Sequence, residues 1–137
     1  MTIHLRVITP KKIVREDDIS SLTAVTAAGE ITVLPRHTHL FSLLVEGVIK
    51  IKKGGTEDFL AIGGGYLETD GKEINLLVSR AYGQDEINQE LTEKAIKEAE
   101  RLMKEAKGEK DLHEAQSLYR RSVVDLKLLK KRRRPAV

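Results

Sequence analysis

Gly63-Gly64-Gly65-Tyr66-Leu67-Glu68-Thr69-Asp70-Gly71-Lys72-Glu73-Ile74-Asn75-Leu76-Leu77-Val78-Ser79 reads as two strands joined by a tight turn. Asp70-Gly71 is a hairpin signal, because glycine reaches positive φ without a Cβ clash. It predicts strands over 65–69 and 72–79. Ile74, Leu76 and Val78 fall on every second position, the period of a half-buried strand. The three glycines before Tyr66 lack the lysine and hydroxyl of a phosphate-binding loop, and no helix is expected to follow them. They are read as a turn or bulge where backbones approach closely.

The same two-residue period spreads outward from this hairpin. Ile3, Leu5 and Val7 show it, as do Ile49 and Ile51. Thr9-Pro10, Gly29-Glu30 and Gly54-Gly55 mark turns between such runs. Short strands with regular turns and no intervening helix predict a β-sandwich or flattened barrel over residues 1–84, with a small core.

Beyond residue 84 the chain is a different material. Residues 1–84 hold nine of the ten glycines and carry ten basic and ten acidic residues. Residues 85–119 carry six basic and ten acidic residues, and residues 120–137 carry eight basic and one acidic. Ile87, Leu91, Ala95, Ala99, Leu102 and Ala106 recur at helical spacing, and Leu112, Ala115, Tyr119, Ser122, Leu126 and Leu129 form a second stripe. Gly108 is expected to end the first helix, and Asp111, three residues before Glu114, to begin the second. So short a break predicts an antiparallel two-helix hairpin over 85–137. Its alanine-rich seam and oppositely charged arms predict a modest, salt-dependent closure.

Composition excludes several chemistries. The chain has no cysteine, so disulfides, zinc–thiolate sites and thiol catalysis are ruled out. No apolar run of about 18 residues is present, so no membrane-spanning helix is expected; no signal peptide is expected either. Aromatic residues make up 4% of the chain, too few for stacking on bases to be its method. On a strand, His37-Thr38-His39 would turn both rings to one face, a possible metal half-site. No third ligand is suggested and Arg36 would repel a cation, so no metal is expected. No catalytic constellation and no cofactor site emerge. Lys130-Lys131-Arg132-Arg133-Arg134 suits an acidic protein, an anionic surface or nucleic acid. Two readings stay open at this level: a non-catalytic subunit of a larger assembly, or a nucleic-acid-binding module using the basic tail.

Gly29-Glu30-Ile31-Thr32-Val33-Leu34-Pro35-Arg36-His37-Thr38-His39-Leu40 resembles the epsilon subunit of bacterial F-type ATP synthases. That family shows Gly-Glu, an apolar stretch and Pro-Gly-His, then a Pro-Gly whose place is held here by Glu46-Gly47. Ala61-Ile62-Gly63-Gly64-Gly65-Tyr66-Leu67-Glu68 is similar to the family's Gly-Gly-Phe-x-Glu segment, and Leu77-Val78-Ser79-Arg80-Ala81 to the segment leading into its helices. The motifs agree in order and spacing along the whole chain.

The resemblance implies a ten-stranded flattened β-sandwich followed by an antiparallel two-helix hairpin. It implies a non-catalytic rotor subunit of the F1 (in chloroplasts, CF1) sector, coupling ion translocation to ATP synthesis and inhibiting hydrolysis through its helices. The implied partners are the gamma subunit, the ring of c subunits, and the alpha and beta subunits. The implied place is peripheral, on the cytoplasmic face of the bacterial inner membrane. By resemblance Gly29, Glu30, Pro35, Arg36 and His37 meet the c-ring. Arg120, Arg121, Lys127, Lys130, Lys131, Arg132, Arg133 and Arg134 would meet an acidic segment of the beta subunits when the hairpin opens.

Two departures bear on these expectations. Arg36 replaces the family's glycine, which suggests a loop with no positive φ. Some members bind ATP through Ile-Asp-x-x-Arg-Ala, matched here by Ile87-Asn88-Gln89-Glu90-Leu91-Thr92. Asn88 and Leu91 replace the acid and the arginine, leaving Arg121 nearly alone to meet a triphosphate.

Overall fold

The computed structural model describes residues 1–37, 39–131 and the backbone of 134–135. Ten strands come first: β1 (Ile3–Ile8), β2 (Ile13–Ile19), β3 (Ser21–Thr26), β4 (Gly29–Val33), β5 (Leu40–Leu44), β6 (Gly47–Lys53), β7 (Thr56–Ile62), β8 (Gly65–Thr69), β9 (Glu73–Val78) and β10 (Ala81–Tyr82). They hydrogen-bond in the order β10-β7-β6-β3-β5-β8-β9-β1-β2, and β4 adds to β3. β1 and β9 run parallel, and the other neighbours are antiparallel. A single 3₁₀ turn (Gln84–Glu86) then leads to α1 (Gln89–Glu105) and α2 (Glu109–Lys130). β11 (Arg134–Pro135) pairs with β7 at Glu57 and Thr56.

The alternation read from the sequence is the burial pattern of the sandwich. Ile3, Leu5 and Val7 point inward from β1, Ile74 and Leu76 from β9, and Ile49 and Ile51 from β6, all at 1% exposure or less. Leu22 and Leu67 meet them from β3 and β8. Burying each such side chain contributes about 1.5–3 kcal/mol. β8 and β9 form the expected hairpin, from Gly65 opposite Val78 to Thr69 opposite Ile74. Gly71 takes φ +91° in its turn. Asp70 Oδ1 accepts from the N–H groups of Glu73 and Lys72, both at 2.9 Å, and these bonds hold its carboxyl below the ordinary range. One turn is displaced from expectation. Ala27 and Ala28 make it, and Gly29, at φ +121°, already opens β4.

β2 lies at the end of the sheet and carries charge on both faces, which discourages edge-to-edge pairing. Arg15 reaches Asp58 of β7 at 2.7 Å and Lys53 reaches Asp17 at 2.8 Å, closing the open side of the sandwich. On the outer face His4 lies between Glu16 (Nε2, 2.8 Å) and Asp18 (Nδ1, 2.7 Å). The Glu16 bond first, then the Asp18 bond, raises His4 above its ordinary 6.5; His4 and then Arg6 lower Glu16 below its ordinary 4.5. A raised histidine stabilises fully below its unfolded pKa and loses that contribution as pH rises through the folded value. A lowered carboxylate does the reverse, losing its contribution as pH falls. The ladder is therefore at full strength between those two ordinary values. We predict that His4→Gln narrows the difference in melting temperature between about pH 5.5 and about pH 8.5. An unchanged difference would show that the network carries no pH-dependent stability.

The helices begin and end differently from their sequence signals. Asn88 caps α1, its Oδ1 accepting from Leu91 N at 2.9 Å. Gly108 does not end α1 in a left-handed turn; it is extended and precedes α2, which places Asp111 inside the first turn. The second stripe also shifts. Ala115 and Ser122 are buried as expected, but further along Val124 and Leu128 are buried in place of Leu126 and Leu129. Val124 and Leu128 pack against Phe59 and Ala61 of β7, with Val48, Tyr82 and Ile87 beside them. α2 therefore serves two neighbours, α1 and the sheet. On α1, Thr92 and Ala99 are buried, while Leu91 is 62% exposed.

Candidate functional site

Three surfaces carry the arrangement, and the first is one that the sequence reading missed. Register places Leu43 opposite Tyr66, Tyr66 opposite Leu77, Leu77 opposite Ile8, and Ile8 opposite Ile13. Facing residues share a side of a sheet, so these five side chains cross five strands in one outward row. Tyr66 is 47% and Leu77 44% exposed. Phe41 stacks on Tyr66 with ring centroids 5.4 Å apart. The available signal was Leu40-Phe41-Ser42-Leu43-Leu44-Val45, a strand apolar on both faces. Such a run resembles a strand buried on both sides, yet Phe41, Leu43 and Val45 face outward and are exposed.

The second surface is the free edge of β4, whose only strand partner among the described residues is β3. The two segments expected to meet the c-ring fall at its two ends. Gly29 and Glu30 begin it and are exposed; Pro35, Arg36 and His37 follow its far end, with His37 half-buried. About 13 Å of strand separates Gly29 from Val33, at about 3.3 Å per residue. His37 and His39 sit in the loop before β5, not on a strand, and Thr38 lies outside the described residues. Among the described residues no group of three His, Cys, Asp or Glu gathers as metal ligands.

Arg36 reverses the expectation drawn from its side chain. It takes φ +66°, the left-handed region that the missing glycine would favour. The turn keeps this shape because it packs on the β8–β9 hairpin. Arg36 N–H donates to Gly71 O at 2.9 Å, and His37 N–H to Leu34 O at 3.1 Å. A non-glycine residue in this conformation costs about 1–2 kcal/mol, partly offset by the greater unfolded-state freedom of glycine. We predict that Arg36→Gly raises stability by about 0.5–1 kcal/mol in urea unfolding. A loss of stability would mean that the Arg36 side chain stabilises the turn by more than its backbone strain costs.

The third surface is the seat of α2 on the sandwich. Tyr82 O–H donates to Asp125, and Gln84 Nε2 donates to the carbonyls of Leu128, at 2.6 Å, and Lys131. Burial, and then the Asp125 carboxylate, push the Tyr82 phenol above its ordinary range. Nearby Arg80 pairs with Glu46, and its Nε is buried without a partner. The basic residues of α2 divide around this seat. Arg121, exposed, borders the cleft between the helices with Asn88, Leu91 and Asp125. There Asn88 Oδ1 is engaged as a cap. Lys127, Lys130 and Lys131 border a second cleft against the sheet, and Arg120 is exposed beside Ser117. The basic run does not extend the helix in this arrangement. α2 stops at Lys130, Lys131 N–H returns to Leu128 O at 3.0 Å, and the Arg134 backbone joins β7. Arg132 and Arg133 lie outside the described residues.

The family model for the ATP synthase delta/epsilon chain β-sandwich domain matches residues 2–84. An ATP synthase epsilon chain of Halalkalibacterium halodurans is 34% identical over 122 residues, 88% of this chain and 92% of that one. A chloroplastic epsilon chain of Anthoceros angustus is 32% identical, covering 94% of each. In fold, a chain of the Euglena gracilis mitochondrial ATP synthase superposes with a TM-score of 0.82 at 21% identity, over 92% of this chain and 79% of that one. The family model covers the sandwich and curated epsilon chains above 30% identity match along nearly their whole length, so the chain belongs to the epsilon-chain family of F-type ATP synthases, the non-catalytic subunits of the rotor.

Proposed function

We propose that the sandwich, residues 1–84, holds this subunit to gamma through the row Leu43–Tyr66–Leu77–Ile8–Ile13, and that residues 85–137 form a regulatory unit. The row carries the reading: apolar side chains left contiguous on the outside of a folded sheet mark a surface made for a protein partner. The edge of β4, with Gly29 and Glu30 at one end and Pro35, Arg36 and His37 at the other, is the surface offered to the c-ring. Glu30 and Arg36 are exposed there and His37 is half-buried. Arg120, Arg121, Lys127, Lys130, Lys131 and the basic residues after them serve an acidic segment of the beta subunits, within the alpha–beta head, once the hairpin swings away from the sheet. In that arrangement the helices inhibit ATP hydrolysis. The subunit thereby couples ion translocation to ATP synthesis and sits peripherally on the cytoplasmic face of the bacterial inner membrane, held by the complex. No helix among the described residues is long and apolar enough to cross a membrane.

The test uses membrane vesicles carrying the assembled complex. Glu30→Gln combined with His37→Ala is expected to leave assembly intact and to lower ion pumping per ATP hydrolysed several-fold. Deletion of residues 120–137 is expected to raise hydrolysis several-fold, because it removes the inhibitory arm. Normal pumping in the first variant overturns the c-ring contact, and unchanged hydrolysis in the second overturns the inhibitory role.

A further inference from the structure

A cleft of about 740 Å³ lies between α2 and the outer face of β3, β6 and β7. Its floor follows from register. Thr23 stands opposite Lys50, and Lys50 opposite Phe59, so the three side chains form one row on that face. Its wall is the last turn of α2, which brings Lys127 and Lys130, with Lys131 just past the helix. Burial of Val124 and Leu128 against Phe59 and Ala61 presses this turn onto the sheet.

Four lysines therefore border one space. Lys50, Lys127, Lys130 and Lys131 pair with no carboxylate among the described residues, and Lys131 stands over the Phe59 ring at 5.6 Å from its centroid. Two carboxylates border the cleft as well. Glu46 is committed to Arg80, and Glu30 is exposed on the edge of β4. The balance is four cations against one free carboxylate. Lysines suit the last turn of a helix through its dipole. That accounts for Lys127 and Lys130. It does not account for Lys50, half-buried in mid-strand between Thr23 and Phe59, nor for Lys131 beyond the helix.

We propose that this cleft binds a small polyanion of linked phosphate groups, held by Lys50 from the sheet and by Lys127, Lys130 and Lys131 from α2. Lysine ammonium groups are compact point charges with three donors each, and they accept phosphate oxygens from several directions. A polyanion also relieves the mutual repulsion of cations held in one turn. Because the site is made from both units, its occupant ties α2 to the sandwich. The cleft is inferred from its own side chains and does not rest on the rotor reading.

The experiment is calorimetric titration of the full chain with sodium tripolyphosphate at low ionic strength, with thermal melts in parallel. One saturable site and a raised melting temperature are expected, since a ligand that binds only the folded form stabilises it. Lys50→Gln is expected to weaken binding by at least about tenfold, and Lys50→Arg to restore most of it. Lys12→Gln, the same loss of charge in the β1–β2 turn, is expected to change it by less than about twofold. Adenosine triphosphate binding as tightly as tripolyphosphate, with adenosine monophosphate failing to bind, supports recognition of the phosphate chain. The proposal is overturned by absence of a saturable site, by equal weakening in the Lys50 and Lys12 variants, or by adenosine monophosphate binding as tightly. It is also overturned if hexaglutamate binds more tightly than tripolyphosphate, which would make the cleft a seat for an acidic peptide.

Discussion

Tyr66→Glu combined with Leu77→Glu is expected to weaken binding to gamma by at least about 100-fold while leaving the fold intact. Both side chains are exposed, at 47% and 44%, so charge can be placed there without burying it in the subunit. They are adjacent in the middle of the apolar row, with Leu43 and Ile8 on either side and Phe41 stacked on Tyr66. Central aromatic and aliphatic anchors of an interface each cost 2 kcal/mol or more when lost, by rough measure. Two carboxylates at that position would also have to be desolvated against an apolar surface. The measurement is copurification and titration of gamma with the wild-type chain and with the double variant. Leu91→Glu is the control, since Leu91 is 62% exposed on α1, outside the row. Retained binding by the double variant, with its melting temperature unchanged, would remove the row from the interface. Copurification of nucleic acid in place of gamma would reject the rotor partnership altogether.

Gly65→Ala is expected to cost about 3 kcal/mol or more, a large share of the stability of a domain this size. Its backbone does not have positive φ, so the argument is one of space. A Cβ at Gly65 would stand 2.0 Å from Leu77 O and 2.8 Å from Val78 Cα. Both are backbone atoms of β9, and Gly65 is itself paired with Leu44 of β5 on its other side. Neither neighbour can yield without opening a ladder in the middle of the sheet. Gly64→Ala is the comparison. Its added Cβ would meet only Leu44 O, at 3.5 Å, an ordinary contact. A change within about 0.5 kcal/mol is expected there. Urea unfolding of the two variants should therefore separate adjacent glycines by several-fold in cost. Equal, small effects would show that β8 moves away from β9 more easily than its pairing implies.

Much of this protein was legible in its residues, for a physical reason. Side-chain direction in a strand alternates with the backbone itself, and turn chemistry depends on two or three neighbouring residues. Ile3-Leu5-Val7, Ile49-Ile51, Ile74-Leu76-Val78 and Asp70-Gly71 therefore determine strands, their inward faces and a hairpin. The close backbone approach predicted for Gly63–Gly65 holds at Gly65, where a Cβ would strike the backbone of β9; Gly63 instead makes room for the Ser79 and Arg80 side chains, and Gly64 makes only an ordinary contact. Tertiary structure decided what depends on distant partners. Helical spacing states that α2 has apolar positions, but not that Val124 and Leu128 must meet Phe59 and Ala61 from another element. A side chain does not reveal its φ, so Arg36 adopts a left-handed turn because Gly71, 35 positions away, accepts its N–H. An apolar strand does not say which of its faces the fold will cover. Only the pairing of β5, β8, β9, β1 and β2 turned Leu43, Tyr66, Leu77, Ile8 and Ile13 into one exposed row. Lys50 came to face the lysines of α2 in the same way, because the helix closed over the sheet.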